Sequence, residues 1–141
     1  MLKNIPKNIS PELLKVICEM GHSDEIVIAD GNFPSAGINK NIIRYDASGV
    51  TDVLKSILEL FPLDEYVDTP VILMKTGDEY RGKPKIWKEY ESVLEKNDFK
   101  GKVLEMERFE FYERAKKAYA IIATGETAIY ANVILKKGVV K

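Results

Sequence analysis

The 141-residue chain contains a single histidine, His22, in the run Gly21-His22-Ser23-Asp24, outside any apolar periodicity. Imidazole changes charge near neutrality and can serve as a general acid or base. At a helix end the same ring can instead cap the last carbonyls. Asp30 closes the apolar run Ile26-Val27-Ile28-Ala29 and is followed by Gly31. A carboxylate there stands where open α/β sheets hold ligands, in the crevice beyond the strands' carboxyl ends. The alternative is a loop cap bonding its own backbone. Tyr130 and Asn132 lie two apart in Ile129-Tyr130-Ala131-Asn132-Val133-Ile134-Leu135, so on a strand both side chains leave one face. Phenol beside carboxamide offers donors and acceptors for sugar hydroxyls, or simply an ordinary polar face. Arg108 and Tyr112, four apart, share a face of a short helix. Tyrosine can carry a proton, and arginine is a fixed fork of donors that can orient hydroxyls. Glu110 and Arg114 fit a surface ion pair equally well.

Composition excludes several other chemistries. The 21 basic and 22 acidic residues nearly cancel, and no basic stripe is visible, so nucleic acid is not an expected partner. Lys116-Lys117 and Lys136-Lys137 read as solvated ends of elements. One histidine and one cysteine cannot build a zinc site of the usual kind, and Cys18 has no disulfide partner. Within Leu13-Leu14-Lys15-Val16-Ile17-Cys18 that thiol reads as a buried packing residue. Gly31 to Gly37 does not supply the Gly-x-Gly-x-x-Gly of a nucleotide loop. The start, Met1-Leu2-Lys3-Asn4, lacks the apolar run of a signal peptide, and no stretch nears the ~20 residues of a membrane span. Neither membrane nor cofactor is expected, and the cytoplasm is the expected compartment.

These residues need a scaffold, and the pattern predicts one α/β domain over residues 1–141. Ser10-Pro11-Glu12 has the hydroxyl, proline and acid of a helix start, with Gly21 as a left-handed stop. Further helices are expected over Thr51–Phe61, from Pro84 onward, and over Phe109–Lys117. Strands are expected at Glu25–Ala29, Ile42–Tyr45, Val71–Met74, Lys102–Met106, Ala118–Ala123 and Ile129–Leu135, with Gly31–Gly37 a loop. Alternation of strand and helix indicates a layered fold. The last two strands, joined through Thr124-Gly125-Glu126, suggest an antiparallel part and hence a mixed sheet.

Six blocks of the sequence resemble the ribose pyranase/fucose mutarotase (RbsD/FucU) family in order and spacing. They are Ile9-Ser10-Pro11-Glu12-Leu13-Leu14, Met20-Gly21-His22-Ser23-Asp24-Glu25-Ile26, Ala29-Asp30-Gly31-Asn32-Phe33-Pro34, Pro62-Leu63-Asp64-Glu65-Tyr66, Glu107 to Ala115, and Thr124-Gly125-Glu126 with Tyr130 to Gly138. The block Arg108-Phe109-Glu110-Phe111-Tyr112 points to the fucose mutarotase branch. The resemblance implies a three-layer α/β/α domain with a central mixed sheet. It implies His22 as catalytic proton donor with Tyr112 as second proton carrier, and Asp30, Asp64, Arg108, Tyr130 and Asn132 as sugar contacts. It also implies a ring-shaped, decameric homo-oligomer with sites near subunit contacts. The departures fall in Ser35–Asn41 and Thr76–Lys83. The expected reaction is anomer interconversion of free fucose by ring opening and closing, without metal or other cofactor. A ribose pyranase and a non-catalytic monosaccharide-binding module are the alternatives.

Overall fold

A computed structural model describes residues 1–141. Eleven elements follow in chain order: α1 Pro11–Glu19, β1 Glu25–Ala29, α2 Ser35–Ile38, β2 Ile42–Tyr45, α3 Val50–Leu58, β3 Val71–Met74, α4 Ile86–Lys96, β4 Val103–Met106, α5 Arg108–Lys117, β5 Ala120–Thr124 and β6 Val133–Lys136. The strands form a six-stranded sheet in the order β2-β5-β1-β6-β3-β4. Only β6 runs antiparallel to its neighbours, β1 and β3; the other pairings are parallel. The five parallel strands therefore share one carboxyl end, and β6 begins at that end.

The sheet is covered on both sides. Ile26, Ile28, Val71, Leu73, Ile122, Val133 and Leu135 pack with the inner sides of α1, α3 and α4. Val27, Ala29, Ile72, Met74, Ile121 and Ile134 face the other way, against Phe33 and the α5 residues Phe111 and Ala115. Each central strand is thus apolar on both faces, as buried parallel strands are. A one-residue slip would exchange the two packed faces, which fixes register tightly. The expected three-layer α/β/α arrangement with a mixed sheet is what forms.

Local readings hold unevenly. The Ser10 hydroxyl accepts from Leu13 N–H at 3.1 Å and caps α1, with Pro11 at the first helical position. Gly21 is not the left-handed stop: α1 ends at Met20 in an extended conformation, and Ser23 takes the positive φ of 71°. Cys18 is exposed, because the buried stripe of α1 runs through Leu13, Val16 and Ile17. The stretch read as loop after Asp30 contains the short α2. β5 and β6 do not form a hairpin; β1 lies between them, parallel to β5 and antiparallel to β6. β6 begins only at Val133, so Tyr130 and Asn132 precede it, and Tyr130 has a left-handed φ of 56°. They do not share a strand face.

Arg114 bonds the distant Glu25 at 2.6 and 2.9 Å, not Glu110, and Lys136 joins the same carboxylate at 3.2 Å, so it is no solvated end. Burial would raise the Glu25 carboxyl, but Arg114 and Lys136 outweigh it and hold the group below its ordinary range. A lowered folded value contributes stability above the unfolded value, ~4.3, that is lost as pH falls through the folded one. Glu25→Gln should therefore cost about 1–2 kcal/mol at neutral pH, a figure tempered by the partial exposure of Arg114. Denaturant melts should show the gap to the native chain closing below pH ~4. A gap unchanged at pH ~3 would mean that the carboxylate's charge is not what the cluster contributes.

Candidate active site

Asp30 follows β1 at the carboxyl end of the parallel strands and is only 6% exposed. Its backbone N–H donates to Asn132 Oδ1 at 2.8 Å, and Asn132 Nδ2 donates to Asp30 Oδ2 at 3.0 Å. The Asn32 N–H donates to the other carboxylate oxygen at 3.0 Å. Burial pushes the Asp30 carboxyl up, against bonds from Asn32, Ala131 and Asn132. The mutual pair joins the end of β1 to the start of β6 across 102 positions of sequence, holding two polar side chains in one orientation.

Tyr130 stands beside them on an irregular segment fixed at several points. Trp87 Nε1 donates to its carbonyl at 2.8 Å, and the buried Tyr90 hydroxyl holds the next carbonyl, Ala131, at 2.8 Å. The Tyr130 hydroxyl donates to Glu79 Oε1 at 2.9 Å and accepts from Gly77 N–H at 3.1 Å. Its proton is thus committed to Glu79, and toward a ligand it presents a lone pair. Glu79, bonded to Tyr130, is a candidate that sequence reading missed. It lies in the variable loop after β3, and no periodicity marks it. Arg108 opens α5 at the same end of the sheet, stacked 4.6 Å over the Phe109 ring and making no hydrogen bond within the chain. Its charge helps hold Glu79 below the usual carboxylate range, after the bonds from Glu79's own backbone and from Tyr130. One turn on, Tyr112 packs edge-on against Phe33 at 5.5 Å, on the α5 face of the sheet.

His22 lies elsewhere. It precedes β1, whereas Asp30 follows it, so the strand itself, ~13 Å long, separates them. His22 Nε2 is 3.2 Å from Asp64 Oδ1, and its ring packs against Tyr66 at 5.4 Å. The His22 side chain is 43% exposed and that of Asp64 only 1%. The Tyr66 N–H donates to the same Asp64 oxygen at 3.0 Å, while Oδ2 is buried without a partner. Burial would raise the Asp64 carboxyl, but the Tyr66 N–H, His22 and the Lys136 charge outweigh it and hold it below its ordinary value. The structure therefore divides the candidates into two groups. Asp30, Arg108, Tyr130 and Asn132 gather at the carboxyl end of the parallel strands with Tyr112 close by; His22 and Asp64 pair at the opposite end.

A cavity of about 890 Å³ between the N-terminal segment and the turn after β2 contains none of these residues. No three His, Cys, Asp or Glu side chains converge as a metal site would require, and no helix is long and apolar enough to cross a membrane.

Residues 3–140 match the RbsD / FucU transport protein family. The chain is 50% identical to the mouse fucose mutarotase, over 97% of this chain and 94% of the mouse protein. Its fold superposes on the crystal structure of the fucose mutarotase in complex with L-fucose from Streptococcus pneumoniae with a TM-score of 0.94 and 51% identity, covering 99% of this chain and 100% of that one. Similarity to Bacillus subtilis RbsD complexed with D-ribose is lower, with a TM-score of 0.72 and 26% identity over the full length of both chains. With end-to-end matches in sequence and fold, the chain belongs to the RbsD/FucU family.

Proposed function

We propose that this chain, acting as a single domain, is an L-fucose mutarotase that interconverts the α and β anomers of the free sugar. In that reaction a base takes the proton of the anomeric hydroxyl while an acid protonates the ring oxygen. The bond from the anomeric carbon to the ring oxygen breaks, giving the open-chain aldehyde. Rotation of the carbonyl and reversal of the proton transfers close the ring on its other face. Two positioned groups that exchange acid and base roles suffice.

His22 and Tyr112 are the two proton carriers in this reading. Asp30 and Asn132, already locked to each other, present their remaining acceptor and donor capacity to sugar hydroxyls. The Tyr130 oxygen accepts, and the unpaired Arg108 guanidinium donates. The observation that carries the reading is this buried, mutually bonded Asp30–Asn132 pair, next to Tyr130 and at the end of the sheet where Arg108 opens α5.

One chain does not close the site, because His22 stands at the other end of β1 from Asp30. A complete acid–base pair forms where the His22 end of one copy meets the Asp30 end of another. That requirement supports self-association of the ring kind expected from the family, in the cytoplasm, where free monosaccharide would be the partner.

The test is exchange spectroscopy by proton NMR on equilibrated fucose and, separately, ribose. Accelerated exchange between fucose anomers is expected, with a smaller effect on ribose. Faster pyranose–furanose exchange of ribose would favour a pyranase, and binding without any acceleration would reduce the chain to a sugar-binding module.

A further inference from the structure

The turn that follows β3 closes around one side chain, Tyr130. We propose that Glu79 is a positioning residue for sugar binding: held in the turn Gly77–Tyr80, its carboxylate takes the hydroxyl proton of Tyr130, so that Tyr130 meets the sugar only as an acceptor and selects a hydroxyl able to donate. For its ligand this rests on the mutarotase reading; the grip of the turn on Tyr130 does not.

The Tyr80 N–H donates to the Gly77 carbonyl at 3.0 Å, which closes the four-residue turn. Three groups of that turn reach Tyr130. The Gly77 N–H donates to its hydroxyl at 3.1 Å, the hydroxyl stands 2.9 Å from Glu79 Oε1, and the Tyr80 ring lies edge-on to the Tyr130 ring at 5.4 Å. An amide N–H only donates and a carboxylate only accepts, so the phenol hydrogen must lie toward Glu79. Glu79 keeps its charge at neutral pH. Its own backbone N–H, the Tyr130 hydroxyl and the Arg108 charge hold its carboxyl below the usual range. With the proton given to Glu79 and one lone pair engaged by Gly77, the oxygen can offer a sugar only its remaining lone pair. Without Glu79 the phenol proton is free to swing toward the ligand, where it would confront the hydrogen of the sugar hydroxyl. Gly77 has a reason to be glycine here, because a Cβ at that position would collide with the Glu79 carboxylate. Its φ is not positive, so alanine there displaces the glutamate side chain rather than straining the backbone. The far end of the loop is anchored separately: Lys83 pairs with Glu105 of β4 and lies 5.1 Å over the Trp87 ring.

The test is anomer exchange of fucose as a function of sugar concentration, beside an NMR titration that reads binding alone. Glu79→Ala should raise the half-saturating concentration roughly two- to tenfold, as loss of one hydrogen bond would, with turnover little changed. Glu79→Gln keeps an acceptor oxygen and should recover part of that loss. Gly77→Ala keeps the Glu79 charge but moves its carboxylate, and should reproduce the effect of Glu79→Ala. In a Tyr130→Phe background, Glu79→Ala should change nothing further, because a residue that acts through the hydroxyl has nothing left to act on. Circular dichroism and the fluorescence of the single tryptophan, Trp87, check that the fold and the far anchor of the loop persist. A full additional loss in the Tyr130→Phe background would overturn the proposal, since Glu79 would then touch the sugar itself or merely brace the turn. So would native affinity in a folded Glu79→Ala chain, or a loss of turnover at unchanged half-saturation. If the native chain bound fucose without accelerating its exchange, the mutarotase reading would fail, and the titrations would still decide the role of Glu79.

Discussion

His22→Ala should abolish accelerated anomer exchange, and the circular dichroism of the variant should match that of the native chain. That is the expected outcome, and the two halves have separate grounds. The imidazole is the only group at its end of the sheet suited to transferring protons near neutrality, and its removal should forfeit the ~10²–10⁴-fold of general acid–base catalysis. The ring is 43% exposed and touches Asp64 and Tyr66 rather than either apolar core, so the fold should tolerate its loss. The cost to stability should be that of one bond to a buried carboxylate, about 1–3 kcal/mol. Full activity in a folded His22→Ala chain would sink the catalytic assignment. A companion measurement tests the proposed division of the site between copies. Asp30→Asn damages the opposite end of β1, so co-assembly of the two inactive variants should regenerate some native sites and recover part of the exchange rate. Mixed assemblies that stayed inactive would argue against a site shared between copies.

The scaffold was legible in the sequence because it rests on apolar periodicity. Ile26–Ala29, Val71–Met74 and Ile121–Ala123 are buried on both faces and read as strands without ambiguity. The site was legible residue by residue but not as an arrangement. His22 and Asp64 are 42 positions apart, Asp30 and Asn132 102 apart, and no local pattern encodes such meetings. The spacing of Tyr130 and Asn132 misled for a physical reason. A strand was expected to carry both, but Tyr130 adopts a left-handed φ, and bonds from Trp87 and Tyr90 hold that segment irregular as it leads into β6. The i,i+4 spacing of Glu110 and Arg114 also misled, because the largely buried Glu25 accepts bidentate bonds that an exposed helix neighbour does not provide. Glu79 shows the opposite failure. A glutamate in a variable loop carries no sequence signal, and only the packing of that loop on Tyr130 brings it to the candidate site.

Replacing Tyr112 and Tyr130 by phenylalanine should separate proton transfer from sugar binding. Phenylalanine keeps each ring and removes one hydroxyl. At Tyr112 the ring packs edge-on against Phe33 and Phe109, and its hydroxyl makes no hydrogen bond within the chain. Tyr112→Phe therefore takes nothing from the fold, and its effect should appear in turnover, within the ~10²–10⁴-fold range of a proton carrier, with a modest change in apparent affinity. At Tyr130 the hydroxyl is bonded to Glu79 and Gly77, so its loss removes an acceptor for the sugar and also releases the loop after β3. Tyr130→Phe should weaken affinity by roughly 0.5–3 kcal/mol, with turnover at saturation changed less. The measurement is anomer exchange as a function of sugar concentration for each variant, beside circular dichroism. If Tyr112→Phe turned over normally while Tyr130→Phe did not, the proton carrier would be the tyrosine that is already bonded to a carboxylate. Glu79 would then be the group that draws its proton, and Tyr112 would keep only the packing of Phe33.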